Sequence, residues 1–75
     1  MHENMIRYFK PQNENDALLP CPFCGGNEIY YEEYKTTVGR RFCCWCASCM
    51  ASIDPGYAQD RYTVRRMWNN RTATN

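Results

Sequence analysis

Leu19-Pro20-Cys21-Pro22-Phe23-Cys24-Gly25-Gly26 is the stretch that decides how this chain is built. Two cysteines separated by two residues place both sulfurs on one side of a tight turn, within reach of one tetrahedral ion. Pro22 stiffens the turn, and the two glycines can adopt the positive-φ backbone that points amides at a thiolate. A second pair, Cys46-Ala47-Ser48-Cys49, completes a set of four ligands. The 21 residues between the pairs slightly exceed the usual interval, and a longer hairpin between the two knuckles takes up the difference. The expectation is one structural zinc ion held by Cys21, Cys24, Cys46 and Cys49.

The run Cys43-Cys44-Trp45-Cys46 offers an alternative second pair, Cys43 and Cys46, which would leave Cys49 over. Residues 41–45 read as strand, and a knuckle should follow its strand, which favours Cys46 and Cys49. Cys43 and Cys44 then alternate across that strand as small packed side chains.

Six cysteines in 75 residues also suit a disulfide-stapled secreted module. Against that, residues 1–10 contain no uninterrupted apolar h-region, and no small-residue cleavage site follows. No stretch approaches the length of a membrane span. The expected setting is therefore a reducing cytoplasm, where paired C-x2-C units bind metal. A thioredoxin-like redox pair fits less well than zinc, because that motif opens a helix in a βαβ unit and Pro20 and Pro22 bracket this one. Size argues the same way. A 75-residue chain buries little apolar surface, and four thiolates on zinc supply on the order of 10 kcal/mol of folding energy.

Residues 1–17 read as an arm, in which Met5, Ile6, Tyr8 and Phe9 form a short strand or a docking segment. Pro11 to Asp16 reads as a flexible polar connector. Ile29 to Val38 is rich in aromatic and β-branched residues and predicts a strand. Gly39 marks a turn, Arg41 to Cys46 returns antiparallel, and Ala51 to Asp54 adds a third short strand ended by Pro55-Gly56. From Gln59 to about Asn70 the period becomes helical, with Val64, Met67 and Trp68 on one face and Asp60 suiting the helix dipole at its start. The expected class is thus a small zinc-dependent α+β fold: a zinc ribbon, built from an antiparallel hairpin or three short strands with two knuckles, followed by a C-terminal helix. The ribbon and helix span residues 18–71, and residues 72–75 form a tail.

Other residues carry weaker signals. His2, the single histidine, reads as solvated. Glu28, Glu32 and Glu33 read as the solvated face of a hairpin. Tyr30, Tyr31, Tyr34, Phe42 and Trp45 suit either a base-stacking platform or a mini-core short of aliphatics, and the mini-core is the simpler reading. Replacing four thiol protons with one Zn²⁺ lowers the formal charge of +1 by two, to −1, which weakens nucleic-acid binding. Arg61, Arg65, Arg66 and Arg71 against Asp60 still leave a basic helix able to touch phosphates. No carboxylate pair, Ser/His/Asp set or phosphate-binding loop suggests an enzyme, and a four-cysteine zinc has no open position for water.

The first knuckle, the second C-x2-C and the helix end Trp68-Asn69-Asn70-Arg71 together resemble the Lar-type restriction alleviation proteins, small cytoplasmic zinc ribbons of phages and bacteria. The resemblance runs from about Leu18 to Arg71. It implies that Cys21, Cys24, Cys46 and Cys49 are the zinc ligands and that Trp68, Asn69 and Arg71 are the signature helix end. With Arg65, those helix residues would face a protein partner. It further implies relief of type I restriction through a host restriction-modification enzyme. Met50 departs from the family pattern, where glycine often follows the second knuckle, as do the extra Cys43 and Cys44. The alternative is a small ribbon that binds nucleic acid in transcription or replication.

Overall fold

The computed structural model describes residues 4–70 of the chain. Its centre is a hairpin of two eight-residue strands, β2 (Ile29–Thr36) and β3 (Gly39–Cys46). Their aromatic and β-branched content suits a pleated, half-buried surface. The turn works because Gly39 takes φ +127°, while the Thr36 hydroxyl accepts from the Val38 amide and donates to the Gly39 carbonyl. The register sets Tyr30 opposite Trp45, Tyr31 opposite Cys44 and Glu32 opposite Cys43.

Two further strands complete an antiparallel sheet of order β1-β2-β3-β4. On one side β4 (Ser52–Ile53) pairs with β3, and the chain beyond it stays there, with the Phe42 amide donating to the Ala58 carbonyl at 2.9 Å. On the other side lies β1 (Met5–Phe9), paired with β2. Of the two readings of Met5 to Phe9 within the expected arm, the short strand is the one that forms, as the edge of a sheet that has four strands rather than two or three. The connector after β1 is ordered too. It forms a single 3-10 turn, Glu14–Asp16, closed by a capping box in which Asn13 and Asp16 exchange side-chain and backbone hydrogen bonds. Asp16 is fully buried, accepts from the Gln12 and Asn13 amides at 2.9 Å, and pairs with Arg61 at 3.2 Å.

Helix α1 (Arg61–Asn69) is capped by Asp60, whose carboxylate accepts from the Thr63 amide at 2.9 Å. Its buried residues are Val64 and Trp68, with Met67 half-buried beside them. They cover one face of the sheet, where Ile29, Tyr31, Cys44 and Cys46 join Cys21 and Ala58 in a core flanked by Phe9, Leu18, Phe42 and Ile53. Aliphatic side chains are few, so rings do the filling: Phe9 stacks on Tyr31 with centroids 5.5 Å apart.

The acidic run needs correction. Glu28 is exposed, but Glu32 and Glu33 are buried, so they do not form a solvated face. The strand alternates, and its two central glutamates point to opposite faces. Glu33 is compensated by Arg7 at 2.7 Å from β1 and Arg40 at 3.3 Å from β3. No helix among the described residues is long and apolar enough to cross a membrane.

Candidate metal centre

Both knuckles emerge at one end of the sheet, and their backbones are built alike. In the first, the Gly25 amide donates to the Cys21 carbonyl and the Cys21 amide to the Gly26 carbonyl, each at 2.9 Å. In the second, the Met50 amide donates to the Cys46 carbonyl and the Cys46 amide to the Ala51 carbonyl, each at 2.8 Å. Gly25 and Met50 hold equivalent places and share a left-handed backbone, φ +74° and +67°. Glycine adopts that conformation without cost; methionine carries the Cβ penalty. The tight turn aims further amides at sulfur, Gly26 at Cys24 and Ser48 at Cys46, both at 3.4 Å. Gly26 has little room for a side chain, since a Cβ there would sit 3.1 Å from the Ser48 hydroxyl.

The two knuckles bring Cys21, Cys24, Cys46 and Cys49 together, with all four sulfurs within 4.8 Å of one another. Cys21 lies 3.5 Å from Cys49, and Cys24 lies 3.5 Å from Cys46. Bonds of about 2.3 Å from sulfur to a tetrahedral zinc require sulfurs about 3.8 Å apart, so the cluster fits such an ion with little adjustment. The same distances are far beyond a disulfide bond, and all six cysteines are free thiols. Cys43 is not in this group. It is buried opposite Glu32, one turn of the pleat away from Cys44, which lies in the helix-side core.

The electrostatics suit a cation. Burial pushes the Cys21 thiol up, but the Cys24 and Phe23 amides and neighbouring thiols outweigh it and bring the group down to about 6. Burial likewise opposes, and the Cys49 and Ser48 amides reverse, the shift at Cys46, which is also lowered. At Cys24 the Gly26 amide pulls down, yet the surrounding sulfurs and burial push the thiol up to about 12. Cys49 is raised despite the Ala51 amide, with Cys21 the main opposing cause. Four sulfurs this close cannot all be thiolates without a positive charge among them; two give up protons readily and two retain them. A divalent ion supplies the missing charge and displaces the retained protons.

Of the helix residues expected to meet a partner, Trp68 is buried and Asn69 and Arg65 are half-buried, and each holds the backbone of residues 17–19. Trp68 is 3% exposed, and its indole N–H donates to the Leu19 carbonyl at 2.9 Å. Asn69 accepts from the Leu19 amide at 2.8 Å and donates to the Ala17 carbonyl at 3.0 Å. The Arg65 Nε donates to that same carbonyl at 3.1 Å. Three side chains of α1 thus clamp residues 17–19, the lead-in to Cys21. The physical reason is that an extended segment leaves its amides and carbonyls unpaired, and the helix end satisfies them. Arg71 lies outside the described residues. Asp16, which anchors the same segment from below, was not singled out from sequence, although the Asn13-x-x-Asp16 spacing is that of a capping box.

Two large apolar side chains face solvent at this end of the molecule. Phe23, inside the first knuckle, is 81% exposed, and Met50, closing the second, is 58% exposed. No protein-family model, curated protein or solved structure matches the chain.

Proposed function

We propose that this protein is a non-enzymatic zinc ribbon: one structural zinc, bound by Cys21, Cys24, Cys46 and Cys49, folds an interaction module. The observation that carries this reading is the four-sulfur cluster, whose four donors within 4.8 Å of one another suffice to fill a tetrahedral ion. Zinc is favoured over other divalent ions because four thiolates in a tetrahedral arrangement are its preferred closed site. Such a centre holds structure and does not polarise a substrate.

A module without catalytic groups acts by binding one state of its target better than another. The surface best suited to this is the knuckle tip, where Phe23 and Met50 are exposed. Met50 is the more telling, because a large apolar side chain occupies a left-handed position that glycine would take without strain.

For the target, the resemblance to Lar-type proteins supports a host type I restriction-modification enzyme, with restriction relieved by stoichiometric binding in the cytoplasm. Expression of the protein should raise the plating efficiency of unmodified phage on a restricting host. Cys21→Ser should abolish the effect, and Met50→Ala should reduce it while leaving the fold intact. Unchanged plating, together with tight nucleic-acid binding at physiological salt, would replace this reading with the nucleic-acid alternative.

A further inference from the structure

The sheet has two unlike edges, a two-residue strand on the β4 side and the five-residue β1 on the other. Along β3 the outer edge is taken by β4, by the Ala51 carbonyl on the Cys46 amide and by the Ala58 carbonyl on the Phe42 amide. Along β1 no strand among the described residues pairs beyond it, since β1 ends the strand order. Met5, Ile6 and Tyr8 of this edge are 38%, 44% and 53% exposed. Natural sheets guard such an edge with an inward charge or a proline. Here the inward charge of Arg7 is neutralised by Glu33 at 2.7 Å, the register irregularity between Met5 and Arg7 is confined to the start of the strand, and Pro11 comes only after it, so Arg7 to Phe9 present a regular edge.

On the face away from α1, an aromatic row runs across the strands toward this edge. Trp45 on β3 stacks on Tyr30 of β2 at 5.0 Å, and Tyr8 of β1 meets Tyr30 edge-on at 5.6 Å. The row stops at Tyr8 because the sheet stops there. On the helix side, Arg7 lies over Phe9 at 4.4 Å.

We infer that β1 pairs antiparallel with β1 of a second copy, on a twofold axis through Tyr8, joining two sheets into one of eight strands. This register is self-complementary. Tyr8 meets Tyr8, so the aromatic row continues into its symmetry mate. Arg7 meets Phe9 and Phe9 meets Arg7, repeating across the interface the cation–π contact already present within the strand. Ile6 meets Lys10, whose charge is held by Glu28 at 2.6 Å. An axis at Arg7 would instead oppose two arginines, and one at Phe9 would bring Pro11 level with Arg7. Both copies keep α1 on the same side, because residues directly opposite share a face of the sheet.

A five-residue edge pairing buries little area, so the dimer belongs to the weak class and is sought between about 1 µM and 1 mM. Sedimentation of the metal-loaded full chain should rise from its 8.9 kDa monomer toward twice that mass over this range. Tyr8→Glu, at an exposed position, should hold the monomer mass throughout with unchanged circular dichroism and metal content. Under mild oxidation Tyr8→Cys should form a disulfide-linked dimer, since directly opposed strand residues lie within disulfide reach. Ile6→Cys should not, because the two copies of residue 6 are about four residues apart along the strand, roughly 14 Å. A monomer at every concentration overturns the inference. So does a dimer that survives Tyr8→Glu but is lost in Phe23→Ala, or one that crosslinks through position 6 and not through position 8.

Discussion

Replacing Trp68 with alanine tests how the helix and the first knuckle depend on each other. The indole is 3% exposed and packs in the core with Val64, Ile29 and Cys21. An indole buries on the order of 200 Å², which at about 25 cal/mol per Å² sets an upper bound near 5 kcal/mol. The substitution also removes the hydrogen bond to the Leu19 carbonyl, a net loss of about 1 kcal/mol. The expected cost is therefore roughly 3–5 kcal/mol, the usual range for truncating a buried large aromatic. In a domain of this size each kcal/mol moves the melting temperature by about 4–8 °C, so the zinc-loaded variant should melt at least ~12 °C lower. Melting followed by circular dichroism at fixed free zinc separates this from metal loss, because zinc itself stabilises the folded chain. Trp68→Phe removes the hydrogen bond with only part of the buried volume and should fall between the two. Leu19 stands two residues before Cys21, so Trp68→Ala should also release zinc faster to a chelator. A melting shift under about 3 °C would refute the packing argument, and unchanged zinc release would refute the coupling to the knuckle.

Native mass spectrometry should find one zinc per chain, lost in Cys21→Ser and Cys49→Ser and kept in Cys43→Ser; retention by Cys49→Ser would disqualify that ligand. Met50→Gly should raise stability by roughly 0.5–1 kcal/mol in urea, because it removes left-handed strain, and a loss instead would show that the methionine side chain supports the knuckle. Cys43 is pushed from 9.0 to about 12, first by burial and then by the Glu32 charge. The unfolded chain gives up this proton near pH 9 and the folded one does not, so stability is intact below about 9 and falls between about 9 and 12. Urea midpoints across that window should decline less steeply in Cys43→Ala, and an identical slope would mean the thiol is not held protonated.

The parts of this protein readable along the chain are those whose geometry is local. Two residues between cysteines set the reach of a knuckle regardless of what surrounds it, so both pairs stand out in the one-dimensional pattern. The hairpin from Ile29 to Cys46 and the helix around Val64 and Trp68 follow from periods of two and about 3.6 residues, and their ends in the structure differ from expectation by two residues or so. The choice between Cys43 and Cys49 rests on strand phase: Cys46 ends β3, so Cys49 falls in the turn beside Cys21.

Tertiary structure alone decided the rest, because it depends on which distant segments meet. Met5–Phe9 reads along the chain as either a short strand or a docking segment and is exposed at four of its five positions; its place in the sheet comes from β2, which offers it a partner. Glu32 and Glu33 have the composition of a solvated face and are buried because strands β1 and β3 flank them and supply Arg7 and Arg40 to Glu33. The sequence places Trp68 on the apolar helix face, but only the fold sets Asp16, Arg65, Trp68 and Asn69 against the backbone of residues 12–19. A metal ligand is recognised by spacing to its neighbour, whereas a clamp 49 residues from the carbonyl it holds has no spacing to recognise.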